Sequence, residues 1–213
     1  MTASRPLKKV LLVAFLVFGL MAAFVAALPF LYVYTENRNF EELRRKSALD
    51  CDTMPLHCQA ERGDLDGMRR YVESRRDLEL KDGWGRTALH WAVVYDQPEA
   101  VAMLLAAGAN PDTRDESGLS AFYHAVMYSR WGTATHLIKA GADIDAFNDA
   151  RYPTTVLHEC VMQNKVECVH YLLEQGASIH IEDAFGYTVL ERLQVHPHIN
   201  EEIRRMFVPG VDG

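Results

Sequence analysis

Positive charge is in short supply in this sequence, with 22 lysines and arginines against 29 aspartates and glutamates. Nucleic acid is a poor ligand for such a surface, because binding it rests on neutralising phosphates. Low-complexity tracts are missing as well, and 49% of the 213 residues are hydrophobic. The chain can therefore bury one substantial core or an extended stack of small ones. No Gly-rich phosphate loop, serine elbow or paired-carboxylate motif is visible, which argues against an enzyme and offers no cofactor a site. His57 with Cys58, His158 with Cys160, and His196 with His198 are neighbours in sequence, but none has the four-ligand spacing of a zinc site. No metal is expected.

Charge disappears altogether from Val10 to Tyr34, a run of 25 residues. At 1.5 Å per residue, that is enough to cross a hydrocarbon core of about 30 Å. The run reads as a retained transmembrane anchor, and Tyr32 and Tyr34 suit an interface. A cleavable signal, with Val25-Ala26-Ala27 as its small-residue site, is the alternative. Arg5, Lys8 and Lys9 precede the run, and a short basic tail of this kind stays in the cytoplasm, although Arg38, Arg44, Arg45 and Lys46 beyond it weaken the asymmetry. The expected organisation is a cytoplasmic tail over residues 1–9, an anchor over 10–34 and a juxtamembrane linker over 35–50, then a folded domain over 51–207 and a tail over 208–213. The domain would lie on the outer, periplasmic side of the inner (cell) membrane. Removing the three basic residues of the tail from 22 leaves 19 against 29 acids, a net charge of −10 for residues 35–213.

The rest of the chain repeats itself. Segments opening at Met54, Thr87, Ser120, Thr155 and Thr188 align with periods of 33, 33, 35 and 33 residues. Such a period signals stacked supersecondary units. "TALHWAVVYDQPEAVAMLLAAGA" and "TVLHECVMQNKVECVHYLLEQGA" carry a Thr-small-Leu-His opening and a Gly-Ala ending. In these features the chain resembles the ankyrin-repeat family. Departures are local: Arg75 and Arg76 stand at the first Gly-Ala, Tyr123 replaces the histidine of the third unit, and Asp96, Ser129 and Asn164 stand where Gly63 is ordinary. The resemblance implies an all-α ankyrin-repeat solenoid of about five helix-turn-helix units, preceded by one transmembrane helix. It also implies that His57, His90 and His158 tie helix starts to turns rather than perform chemistry. The two extra residues should lengthen the finger at 149–154.

Such a stack offers its finger tips and the outer side of each first helix to a protein partner. The expected contact residues are Val94, Tyr95, Met127, Tyr128 and Met162 on the helices, with Trp84, Arg86 and Tyr152 from the fingers. Leu119 and Phe185 should instead fold over the next unit. Cys160 and Cys168 take core positions on the two helices of the fourth unit, and Cys51 and Cys58 bracket the entry to the first. They read either as two local disulfides, permissible outside the cytoplasm, or as four small buried hydrophobes. The function these features suggest is a membrane-tethered protein-binding module that inhibits or neutralises a secreted toxin or enzyme outside the cytoplasm, as an immunity protein does. An adaptor that assembles or stabilises an envelope enzyme is the alternative.

Overall fold

Hydroxyl residues begin the repeats. Thr87, Ser120, Thr155 and Thr188 all hold extended backbone immediately before a helix. The side chains of Ser120, Thr155 and Thr188 accept the backbone N–H three residues on, which satisfies one of the donors a helix start leaves unpaired. In the computed structural model, which describes residues 51–148 and 152–207, these starts organise five helix pairs. They are α1 (Pro55–Arg62) with α2 (Leu65–Glu73), α3 (Ala88–Val94) with α4 (Pro98–Ala106), and α5 (Ala121–Met127) with α6 (Trp131–Lys139). Then come α7 (Val156–Met162) with α8 (Val166–Glu174), and α9 (Val189–Val195) with the short α10 (Glu201–Met206). The described residues contain no strand, only isolated bridges Arg114–Ser120 and Phe147–Thr155 that pinch two fingers closed. The stretch 10–34, its flanking segments and the tail 208–213 lie outside the described residues. Within those residues no helix is long and apolar enough to cross a membrane.

The turn inside each of the first four pairs needs left-handed backbone. Gly63 supplies it in the first (φ 67°), and Asp96, Ser129 and Asn164 supply it in the next three (φ 55°, 58° and 56°). Gly108, Gly141 and Gly176 end the second helices in the same region, and Arg75 does so in the first unit (φ 52°), at a cost on the order of 1 kcal/mol. Between these stops the apolar residues line up from unit to unit. Val101, Ala134 and Val169 form one fully buried row, and Leu104, Leu137 and Leu172 another. Truncating one of these leucines to alanine should cost about 2–5 kcal/mol. Fingers also pack on each other: a Cβ at Gly85 (φ 68°) would come within 2.7 Å of the backbone nitrogen of Glu116 in the next finger. The sulfurs of Cys51 and Cys58 are joined, with Cα atoms 5.6 Å apart, and those of Cys160 and Cys168 are joined at a Cα distance of 5.8 Å.

Three fingers close over the same span, through Asp82 N–H to the Arg86 carbonyl, Asp115 to Leu119, and Asp183 to Tyr187. The remaining finger closes from Asn148 to Thr154, two residues wider, which is where the 35-residue period places its insertion.

An imidazole links each of three units to the next. His57 Nε2 donates to the Arg86 carbonyl (3.0 Å), His90 Nε2 to the Leu119 carbonyl (3.2 Å), and His158 Nε2 to the Tyr187 carbonyl (3.1 Å). A carbonyl can only accept, so Nε2 carries the proton in each ring. Nδ1 is then an acceptor: in His90 it takes the Thr87 N–H (3.2 Å) and hydroxyl (3.0 Å), and in His158 the Thr155 hydroxyl (2.9 Å). Each of the three rings is almost wholly buried.

Burial lowers the pKa of His57, His90 and His158 below 6.5, and with the neighbouring His124 it takes His90 to about 3. The unfolded chain therefore binds a proton at each ring more readily than the folded chain, so stability falls as pH drops through about 6.5. At pH 5, His90 alone should remove about 2 kcal/mol. Urea unfolding at pH 7.5 and pH 5.0 should show that loss or more, and His90→Gln should flatten the dependence; equal stability at the two pH values would contradict the buried neutral rings.

Candidate protein-binding surface

The tip of each finger is held by its own backbone, which leaves its side chains available. Asp82 Oδ1 accepts the N–H groups of Trp84 (2.8 Å) and Arg86 (2.9 Å). Asp115 does the same for Ser117 and Leu119, and Asp183 for Phe185 and Tyr187. In the wider finger Asn148 Oδ1 accepts from Thr154 N–H (3.1 Å). On these frames Trp84 is 39% exposed, Tyr152 53% and Phe185 56%, with Tyr187 exposed beside them. The rings of Tyr152 and Phe185 stack at 5.0 Å, joining two successive fingers into one aromatic surface. Leu119 is half-buried. Phe185 departs from expectation: it does not fold over a following unit, because among the described residues no further finger follows to cover it.

Along the first helices, Tyr95 and Tyr128 each sit just past the last helical residue, half-buried and stacked on Trp91 (5.6 Å) and His124 (6.1 Å). Met127 and Met162 are half-buried, and the Met127 carbonyl accepts from Lys165 Nζ at 3.1 Å. Two expected contact residues are corrected. Val94 is 8% exposed, because it lies four residues beyond His90 and so shares the inward face of its helix. Arg86 is held between fingers, its Nε 3.6 Å from Asp115 Oδ2 and its guanidinium over the Trp91 ring at 5.8 Å. Withdrawing Arg86 would break up the stack, which leaves Trp84 as the outward group of that finger.

The finger aspartates have a second role that the sequence reading missed. Nine residues after each lies a donor to its other oxygen: Trp91 Nε1 to Asp82 (2.7 Å), His124 Nε2 to Asp115 (2.8 Å) and Arg192 to Asp183. A recurrent Asp-x8-Trp/His/Arg spacing was the available signal. Burial by itself would raise the Asp115 carboxyl, but the His124 hydrogen bond and charge and the Leu119 N–H outweigh it and hold the pKa at about 2. Arg192 also lies over the rings of Phe185 (5.2 Å) and Tyr187 (4.7 Å), so its buried ion pair supports the exposed aromatic surface from beneath. Among the described residues no three histidine, cysteine or acidic side chains converge on a point that could hold a cation.

Comparison with known proteins agrees with this geometry. A family profile described as ankyrin repeats (3 copies) matches residues 27–115, 56–148 and 107–183. The chain is 30% identical over 145 residues to the putative palmitoyltransferase ZDHHC13 of Danio rerio, covering 68% of this chain and 22% of that protein. It is 32% identical over 142 residues to the B-cell lymphoma 3 protein of Homo sapiens (63% and 31%), and 29% identical over 142 residues to the probable 26S proteasome regulatory subunit p28 of Saccharomyces cerevisiae (65% and 62%). The chain therefore spans less than two thirds of each of these relatives.

Stability should separate the surface from its support. Tyr152→Ala and Phe185→Ser should each change unfolding free energy by no more than about 1 kcal/mol, since both rings are largely exposed. Arg192→Ala strands the buried Asp183 carboxylate and should cost about 3–5 kcal/mol. Denaturant titration of the three variants checks the order; an Arg192→Ala variant as stable as Phe185→Ser would remove the supporting ion pair from the account.

Proposed function

The chain belongs to the ankyrin-repeat family, and from that premise we propose that it is a protein-binding module tethered to the cell membrane through residues 10–34. Its repeats lie outside the cytoplasm and neutralise a secreted toxin or enzyme, as an immunity protein does. The observation that carries the reading is the set of exposed rings on the first, third and fourth fingers, Trp84, Tyr152 and Phe185. Exposed aromatic surface of this kind is costly to leave in water and marks contact sites. Tyr95, Met127, Tyr128 and Met162 extend the contact along the first helices.

Two further features support the finer points. The net charge of −10 over residues 35–213 suits a basic partner, whose approach it would speed at low salt. The joined pairs Cys51–Cys58 and Cys160–Cys168 suit an oxidising compartment, which agrees with an outward orientation set by Arg5, Lys8 and Lys9.

Orientation is tested with an alkaline phosphatase fused after residue 213, which should be active in cells; an inactive fusion, with a cytoplasm-dependent fluorescent reporter bright instead, would place the repeats inside. Partner binding is tested by capture from envelope extract and calorimetry with the purified partner. Trp84→Ala and Tyr128→Ala should each weaken binding by about 2 kcal/mol, roughly thirtyfold, after melting temperatures have been compared. Unchanged affinity in both variants would move the contact off this surface.

A further inference from the structure

The third unit breaks the pattern on which its neighbours are built. His57, His90 and His158 each reach the backbone of the next finger, but Tyr123 stands at the corresponding position of the third unit, and the finger beyond it is the wide one, closed from Asn148 to Thr154. A cleft of about 120 Å³ lies at this break, between the third and fourth units. Tyr123 and Phe147 give it aromatic walls, Phe147 being exposed, and Asp112 and Asp143 add two carboxylates.

Each carboxylate is held in place through one oxygen. Asp112 Oδ1 accepts the Asp143 N–H (3.0 Å), and Asp143 Oδ1 accepts the Asp145 N–H (3.0 Å). Neither forms an ion pair among the described residues, although Asp96, Asp115 and Asp183 all do. Arg114 lines the same cleft, so two negative charges face one positive. Carboxylates beside aromatic faces suit a cationic head on an apolar stem, because the stem packs on the rings while the head meets both the carboxylates and the ring electrons.

We propose that this cleft receives a lysine or arginine side chain from the protein partner, a reading that rests on the binding-module function above. The guest's charge would supply the ion-pair partner that neither carboxylate has among the described residues. An acidic guest is repelled by them, and a purely apolar one would strip water from them with nothing in return.

The test uses the full-length chain and N-acetyl-arginine amide as probe, with uncharged N-acetyl-citrulline amide as control, followed by amide chemical shifts. Shifts should concentrate in residues 112–123 and 143–148 for the arginine probe alone. The double variant Asp112→Asn, Asp143→Asn should weaken binding about fivefold or more. It keeps Oδ1 as an acceptor at both sites, so folding should be preserved, and a thermal melt confirms that; Glu116→Gln, an exposed acid outside the cleft, should leave binding unchanged. Equal shifts with the citrulline probe, or a double variant that binds as the parent does, would overturn the proposal. With a captured partner, a double variant of full affinity alongside a weakened Tyr128→Ala overturns the cleft and leaves the binding module standing. An arginine probe that binds in the cleft, while envelope extract yields no partner, overturns the binding module and leaves the cleft.

Discussion

The imidazole bridge between successive units is the interaction on which the rest depends. A finger is an open loop with few apolar contacts of its own, and only a fixed attachment makes its tip a usable surface. Nε2 of His57, His90 and His158 provides that attachment by reaching a carbonyl 29 residues on, just before the next helix start. One end of the ring is tied to the start of its own helix in the second and fourth units, so a change in helix position is passed to the following finger. Such bonds are strong because they are buried, and for the same reason they require a neutral ring. The acid sensitivity of the stack and the rigidity of its fingers have a common origin.

The binding surface grows out of that constraint. Asp82, Asn148 and Asp183 hold the finger backbones, Trp84, Tyr152 and Phe185 stay exposed on those frames, and the ion pair of Arg192 with Asp183 lies beneath the rings of Phe185 and Tyr187. Where tyrosine replaces the bridging histidine, at Tyr123, a cleft lies between the units, lined by Asp112 and Asp143, which form no ion pair among the described residues. The net −10 of residues 35–213 is the feature that suits the basic partner of the proposed function.

Much of the fold was legible because repetition multiplies weak signals. A single Thr-x-Leu-His is a poor predictor, but Thr87 and Thr155 at matching phase, with Gly108 and Gly176 closing the same units, leave little choice of architecture. Even the wide finger could be placed, since a 35-residue unit among 33-residue ones must hold its insertion where no helix is interrupted. The contact surface was less legible. Val94 was misplaced because a seven-residue helix turns position 94 toward the same side as His90, and Arg86 because its partner Asp115 belongs to another finger. Phe185 was expected to be covered, a judgement that depends on what packs beyond it rather than on its own neighbours in sequence. The cysteines could not be decided from the sequence either, since a buried thiol and a half-disulfide occupy the same kind of position.

The central claim is most directly tested by nitrogen-15 spectra of the imidazole rings of His90 and His158 across pH 7.5 to 5. The account requires His90 to be neutral throughout and His158 to take up its proton only below pH 6.5, with the proton of each neutral ring on Nε2 and a through-bond coupling from that nitrogen to the carbonyls of Leu119 and Tyr187. Protonation of either ring near pH 6.5 in the folded chain, or a proton residing on Nδ1, would contradict it.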